Sequence, residues 1–381
     1  MPDRLRQFWW SEAGRNWRAA LLLGLISSTF STVVSQTLAG RIGRDAAVDW
    51  MVVAAIPGGN DVLQVIPDWP VIIGGILFHQ WADISWAVFF FGLLGRWTAR
   101  LRPWTITVVA APWALFTSAT EWFVLVPLFP FWQPVFPLEQ PYWIGLLVHL
   151  SSASLYPLYP WLRYRGHRRF TAIWGRLSLA SGCAFVLMAV LGSHGYEAAW
   201  MGHNPAHDQA YIVRMSGHHA QGVDIARIAI AQSPTPRMRE LARLMAAEQI
   251  GEIRIFDQWW RSWFGGPTPL CTAQDEANMP GMLTPEQIGQ LRHAPADSFD
   301  AQFVRFMSLH HLGAVVMAQD EIDNGSDPRL RIMAQAIRHS QQGEIALMHG
   351  VSSIKAVATA AHDLVSPHMA TTSPPGESHD P

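Results

Sequence analysis

Two hydrophobic patterns divide the chain near residue 198. Before that point, long apolar runs are separated by short joints rich in Arg, Pro or Trp. Runs of membrane length fall at 17–39, 71–95, 104–129, 142–162 and 176–196, each long enough to cross a bilayer as a helix. The first run contains "LLLGLISSTFSTVVSQTLAG", which has the character of a signal peptide. Four more runs follow it, so the five together predict a transmembrane domain over residues 1–198. The stretch "MVVAAIPGG" near residue 55 is too short to span. After residue 198, apolar residues recur every three or four positions among charges. This spacing predicts four main helices near 205–232, 235–263, 297–324 and 328–361. Thr235 before Pro236 and Asp327 before Pro328 mark helix starts, and Thr284 with Gln287 has the spacing of a capping box. The end of the chain, "SPHMATTSPPGESHDP", has no such spacing and is expected to be disordered over 363–381.

The second half also repeats. Displaced by 92 residues, the chain aligns with itself without a gap over about 43 positions: Met215 falls on Met307, His218 on His310, His219 on His311, Pro236 on Pro328, Gln249 on Gln341 and Glu252 on Glu344. Such a match indicates an internal duplication. Each copy reads as a helical hairpin, and two hairpins that each bury one face predict a four-helix bundle over 199–362. The hairpin turn near residue 233 brings His218 and His219 level with Gln249, and Met215 level with Glu252. The second copy places Met307, His310, His311, Gln341 and Glu344 in an equivalent layer, with Met317 two turns from His310 and Met348 one turn beyond Glu344. The fold class expected is therefore all-α: five membrane spans followed by a bundle of two repeated hairpins.

Composition supports this division. Of 381 residues, 50% are apolar and only 15% charged, and 19 are Trp, which suits the aromatic belts of membrane interfaces. A net charge of -2 gives no reason to expect nucleic acid. The two cysteines, Cys183 and Cys271, lie in unlike surroundings and form no CxxC, so neither a disulfide nor a thiolate zinc motif is expected. Basic residues cluster at the N-terminus (Arg4, Arg6, Arg15, Arg18), between spans two and three (Arg96, Arg100, Arg102) and between spans four and five (Arg163, Arg165, Arg168, Arg169). The positive-inside rule then makes the N-terminus cytoplasmic and places the bundle outside, in the periplasm if the membrane is a bacterial inner membrane.

Thioether and imidazole side chains in one layer suit Cu(I) or Ag(I), and copper is a realistic periplasmic ligand. A di-iron centre would need Glu-x-x-His pairs, which this chain lacks. The competing reading is structural: the histidines are buried, bonded to Gln249, Glu252, Gln341 and Glu344, and fix the hairpin register. Adjacent residues on a helix diverge by about 100°, so within each pair one histidine is expected to ligate while its neighbour packs or caps. Met238, Met245 and Met333 have core spacing. Met279 and Met282 in "MPGM" are placed to close over the bundle, and Cys271, His368, Met369 and His379 are further soft donors in loop and tail.

The segments "MSGHHAQGVDIARIA", "AAEQIGEI", "MPGMLTPEQ", "FMSLHHLGAVVMA" and "QQGEIALM", in that order over about 205–350, resemble the signature of domain-of-unknown-function family 305. The resemblance implies a ferritin-like four-helix domain of bacterial envelopes, some of whose members bind copper or silver and are linked to copper tolerance. Met307, His310, His311 and Met317 match the family pattern. In the first copy Ile225 stands where the second Met would be, so the second copy is expected to bind more tightly.

The membrane half carries a separate signal. His79, Asp83, Glu121 and His149 come from three spans, at roughly 10 to 18 Å below the outer surface by helical rise. Ionisable groups at that depth are costly and mark either a functional interior or a hydrogen-bonded core; His194 sits at the interface. With no nucleophile motif, nucleotide loop or energy-coupling motif, an ATP-driven pump is not expected. The function expected is a membrane-anchored periplasmic soft-metal protein, binding copper as Cu(I) for sequestration or hand-over and meeting the lipid bilayer and another envelope copper protein. The alternative is a membrane-embedded enzyme or redox protein that uses the His79, Asp83, Glu121 and His149 layer, with the bundle as accessory.

Overall fold

The computed structural model describes residues 11–126, 134–351 and 353–365. Every regular element among these is helical. In the first half, α1 (Glu12–Leu38) starts at Ser11, whose hydroxyl accepts from the Gly14 amide at 3.1 Å. A short α2 (Ala46–Gly58) follows, then α3 (Trp69–Val88), capped by Asp68, and α4 (Pro103–Thr120). α3 and α4 each run on into one wide turn of π-helix, Phe89–Leu93 and Glu121–Leu125. After α5 (Val135–Glu139) come α6 (Tyr142–Ala153), α7 (Tyr159–Tyr164) and α8 (Arg168–Ser193).

Four helical stretches, Glu12–Arg41, Trp69–Leu93, Pro103–Leu125 and Arg168–Ser193, are long and apolar enough to cross a membrane. They correspond to the first, second, third and fifth expected spans; residues 127–129 of the third lie outside the described residues. The fourth expected span, 142–162, is not one helix. It breaks after Ala153 into a 3-10 turn, Tyr156–Leu158, and the short α7. Pro157 and Pro160 are the cause: neither has an N–H to donate back along a helix, and each disfavours helical backbone in the residue before it. The joints at Arg96–Arg102 and Arg163 lie together, since Arg163 reaches Glu12 at 2.9 Å and the Ala99 carbonyl at 2.7 Å.

The second half holds four long helices: α9 (Pro205–Gln232), α10 (Pro236–Trp263), α13 (Ala296–Asn324) and α14 (Pro328–Met348). Two short helices, α11 (Ala273–Asn278) and α12 (Pro285–Arg292), lie between the pairs. α9 packs on α10, α13 on α14, and the two pairs meet through α9 against α13 and α10 against α14. Thr284 and Gln287 form the expected capping box, and Asp327 accepts from the Arg329 amide at 2.9 Å. Thr235 does not cap α10; its hydroxyl donates to Asp300 instead. The fourth helix ends at Met348 rather than 361, because Gly350 turns the chain with φ of +76°, a conformation that glycine adopts without strain. A separate α15 (Ser353–Val365) follows, so residues 363–365 are helical, where disorder was expected; residues 366–381, with His368, Met369 and His379, lie outside the described residues.

The two halves dock through the segment that follows α1 and through α5. Arg44 lies 2.7 Å from Asp49 and 3.8 Å from Glu248 on α10, and Asp45 pairs with Arg254. Two glycines allow the closest approach. A Cβ at Gly251 would lie 2.7 Å from Asp45 Cβ, and a Cβ at Gly343 would lie 2.2 Å from the Leu138 carbonyl oxygen. These glycines stand 92 residues apart, at matched places in the two hairpins.

Candidate metal centre

The four histidines lie at the centre of the second half, each 0% exposed. His218 and His310 face each other across the α9–α13 contact, ring centroids 3.8 Å apart. His218 Nε2 lies 3.2 Å from the Pro280 carbonyl and His310 Nε2 lies 3.1 Å from the His218 carbonyl. A carbonyl can only accept, so both rings carry their proton on Nε2. His219 and His311, equally buried, each face a carboxylate of their own hairpin. His219 Nε2 is 2.9 Å from Glu252 Oε2, and His311 Nε2 is 2.9 Å from Glu344 Oε2. Within each pair, one histidine lies at the centre and the other against a carboxylate.

Every Nε2 thus has an oxygen near it, hydrogen-bonded for His218 and His310 and an ion-pair contact for His219 and His311, while the Nδ1 atoms of all four rings are buried without a hydrogen-bond partner. An imidazole whose far nitrogen is held by a carbonyl or carboxylate is oriented, and its near lone pair is free. Burial favours the neutral form of three rings: the pKa of His218 falls to about 3 by desolvation and the neighbouring His219, and that of His311 to about 3 by desolvation with His218 and His219 nearby. His310 is lowered well below its ordinary value for the same reason. Neutral rings keep their lone pairs available near neutral pH.

The thioethers flank this layer on two sides. Met215 and Met317 belong to one apolar cluster, with Met279 from the loop and Cys271 packed at its edge. Met307 and Met348 belong to another. The "MPGM" loop closes over the histidines as anticipated: Met279 is 5% exposed, and a Cβ on Gly313 would lie 2.0 Å from the Pro280 carbonyl oxygen. Met238, Met245 and Met333 are core residues, as their spacing indicated. Gln249 does not bond the histidines, since both its amide atoms lack partners. Gln341 donates to Glu344 at 3.2 Å.

In the first half the four ionisable residues form two pairs. His79 lies 3.7 Å from Asp83 and 3.0 Å from the Ser31 hydroxyl, which itself donates to Asp83 at 2.5 Å. His149 lies 3.5 Å from Glu121, which accepts from Trp86 Nε1 at 2.9 Å. Glu121 opens the π-turn that ends α4. His79, Glu121 and His149 line a largely apolar cavity of about 150 Å³ that Asp49 and Gln140 also reach. His194 stays at the helix end, bonded to the Val190 carbonyl.

Sequence reasoning passed over three residues that the structure places beside the histidine layer: Arg44, Glu139 and Glu248. They lie far apart in the chain: Glu248 falls within the segment AAEQIGEI without standing out there, and Arg44 and Glu139 belong to no motif.

The class so defined is an all-helical protein that joins four helices of membrane length to a helical domain with a buried histidine layer. Through residues 208–352 the chain belongs to the DUF305 family, a domain of unknown function. Solved structures similar to this part include a DUF305 fragment from Deinococcus radiodurans, at 29% identity and a TM-score of 0.36, covering 38% of this chain and 94% of that one. CopM in the Cu(I)-bound form is 30% identical with a TM-score of 0.33, covering 37% of this chain and 92% of that one. CopM in a co-crystallised Ag-bound form is 30% identical with a TM-score of 0.31, covering 37% and 92%. No curated protein matches the chain.

Proposed function

We propose that this is a membrane-anchored envelope protein whose outer, ferritin-like domain of two duplicated hairpins binds a soft metal ion of the copper and silver class. The observation that carries the reading is the set of four buried Nδ1 lone pairs, each on a ring whose other nitrogen has an oxygen beside it. Neutral imidazoles flanked by thioethers are the donor set that Cu(I) and Ag(I) prefer. The 30% sequence identity with CopM, described in Cu(I)-bound and Ag-bound forms, supports the same metal class. Met215, His218, Met307, His310 and Met317 would hold the ion, with Met279 closing over it. His219, His311, Glu252, Glu344 and Met348 complete the layer.

The N-terminus is cytoplasmic and the bundle periplasmic in this reading, and the protein sequesters the ion or hands it on. Hand-over into the membrane half has a specific support: the cavity beside His79, Glu121 and His149 is also lined by Asp49, whose partner Arg44 lies 3.8 Å from Glu248 of the bundle. The same cavity supports the second reading, a membrane-embedded enzyme or redox protein with its chemistry at that layer.

The test is Cu(I) titration of the full chain in detergent, under reducing conditions against a competing chelator. Wild type is expected to hold Cu(I), and a His218→Ala/His310→Ala chain to lose it. Absence of binding by folded wild type would refute the reading. Glu121→Gln and His149→Gln separate the two readings: loss of an activity with Cu(I) binding intact would favour the enzyme.

A further inference from the structure

The short helix α5 ends in Glu139, which is 0% exposed and reaches the bundle beside Glu248 of α10 and Glu344 of α14. One carboxylate oxygen from each of the three lies within 4.8 Å of the other two. No N–H or hydroxyl donor reaches five of the six oxygens: both of Glu139, both of Glu248 and Oε1 of Glu344. The sixth, Glu344 Oε2, faces His311 at 2.9 Å and accepts from Gln341. Arg44 stands nearest, 3.8 Å from Glu248, but its closer partner is Asp49 at 2.7 Å.

Helix packing does not account for this convergence. Glu344 has a counterpart in Glu252, but Ser340 stands where the second hairpin would match Glu248, and Glu139 comes from a loop outside the bundle. Glu139 is aimed into the group from another part of the chain, fully buried and with neither oxygen satisfied. Burying a carboxylate unpaired costs several kcal/mol. Three together are tenable only with a cation or with protons between them. Oxygens separated by up to 4.8 Å fit around one ion at the bond lengths of about 2.0–2.6 Å that hard divalent cations take with carboxylates. The donors are all oxygen, which suits Mg²⁺, Ca²⁺ or Mn²⁺ rather than a soft ion. A divalent charge would leave the group within one charge of neutrality, with Arg44 beside it.

We propose that Glu139, Glu248 and Glu344 form a binding site for a hard divalent cation, which clamps α5 of the membrane half onto the bundle. The site is separate from the soft-metal centre and does not depend on it; Glu344 alone touches both.

The experiment uses the full chain in detergent, stripped with EDTA, passed into metal-free buffer and titrated with Mn²⁺. Disappearance of the free-Mn²⁺ EPR signal reports binding. Wild type is expected to take up one Mn²⁺, and Glu139→Gln and Glu248→Gln each to weaken that uptake by about tenfold or more. A His218→Ala/His310→Ala chain is expected to keep it, which separates failure here from failure of the copper reading. Mn²⁺ should also raise the melting midpoint of stripped wild type, a readout that needs no variant. No uptake by folded wild type, as when the carboxyls simply share protons, would overturn the proposal. So would equal uptake by folded Glu139→Gln.

Discussion

Gly343→Ala tests how the two halves are joined. In an exposed helix, replacing Gly by Ala stabilises by about 0.5–1 kcal/mol through propensity alone. At this position the new Cβ would lie 2.2 Å from the Leu138 carbonyl oxygen. Ordinary contact needs roughly 3.5 Å, so the backbone of α5 must retreat by roughly 1 Å. Overpacking against backbone costs about 1–3 kcal/mol. The retreat also loosens Val135 and Leu138, both 0% exposed, and Phe136 at 6%, whose full exposure would cost about 1.5–3 kcal/mol each. The expected net effect is a loss of about 1–3 kcal/mol. The control is Gly289→Ala in α12, whose Cβ would meet nothing within 4 Å; it should stabilise by about 0.5–1 kcal/mol. Melting midpoints of the full chain in detergent compare the two, and limited proteolysis around 134–141 reports whether α5 has come away. If Gly343→Ala raises the midpoint as Gly289→Ala does, the close docking of α5 on α14 is wrong.

Other outcomes follow from the same contacts. Burial raises the pKa of Glu248 to about 8, so the folded chain retains a proton that the unfolded chain releases near the ordinary carboxyl value. Its contribution is therefore present at low pH and lost as pH rises: moving metal-free protein from pH 6.5 to 8 should cost about 2 kcal/mol from this group, and Glu248→Gln should flatten that slope in denaturant titrations. The sign is opposite for His311, whose folded pKa of about 3 means that the unfolded state takes up protons first. Its share of stability is lost as pH falls below about 6.5, seen as a shallower acid limb in His311→Gln. Asp327, 0% exposed, accepts from the Met201 and Arg329 amides, both at 2.9 Å. Asp327→Ala should cost about 1–3 kcal/mol, read as a lower melting midpoint; no change would mean that water replaces the carboxylate. Saturating Cu(I) at about 100 times its dissociation constant should raise unfolding stability by about 3 kcal/mol, and not in His218→Ala/His310→Ala.

Much of this architecture could be read from pattern, because pattern records periodicity. The apolar runs mark the long helices of the first half, and the 92-residue offset brings His218, His219, His310 and His311 to one layer. What pattern missed lies where elements meet. The run at 142–162 has the right length and hydropathy, and only the local chemistry of Pro157 and Pro160 breaks it. Thr235 looked like a helix cap but found Asp300 from another helix. Glu139, Glu248 and Arg44 are separated by up to 204 residues (248 minus 44), and nothing local indicates that they converge. His79 and His149, expected in one polar layer, divide into two pairs, with Asp83 and with Glu121, by the facing of their helices, which spacing along the chain does not determine.

The contact between Arg44 and Glu248 also bears on where this protein can be cut. The boundary of the shared domain, at 208–352, runs through a charge network rather than around it. Severing there leaves Glu248 and Glu344 without Arg44 and opens to water a face that α5 had covered. A bundle cut out at that boundary is therefore expected to be less stable than the same residues in the full chain, unless Arg44 and α5 are kept with it.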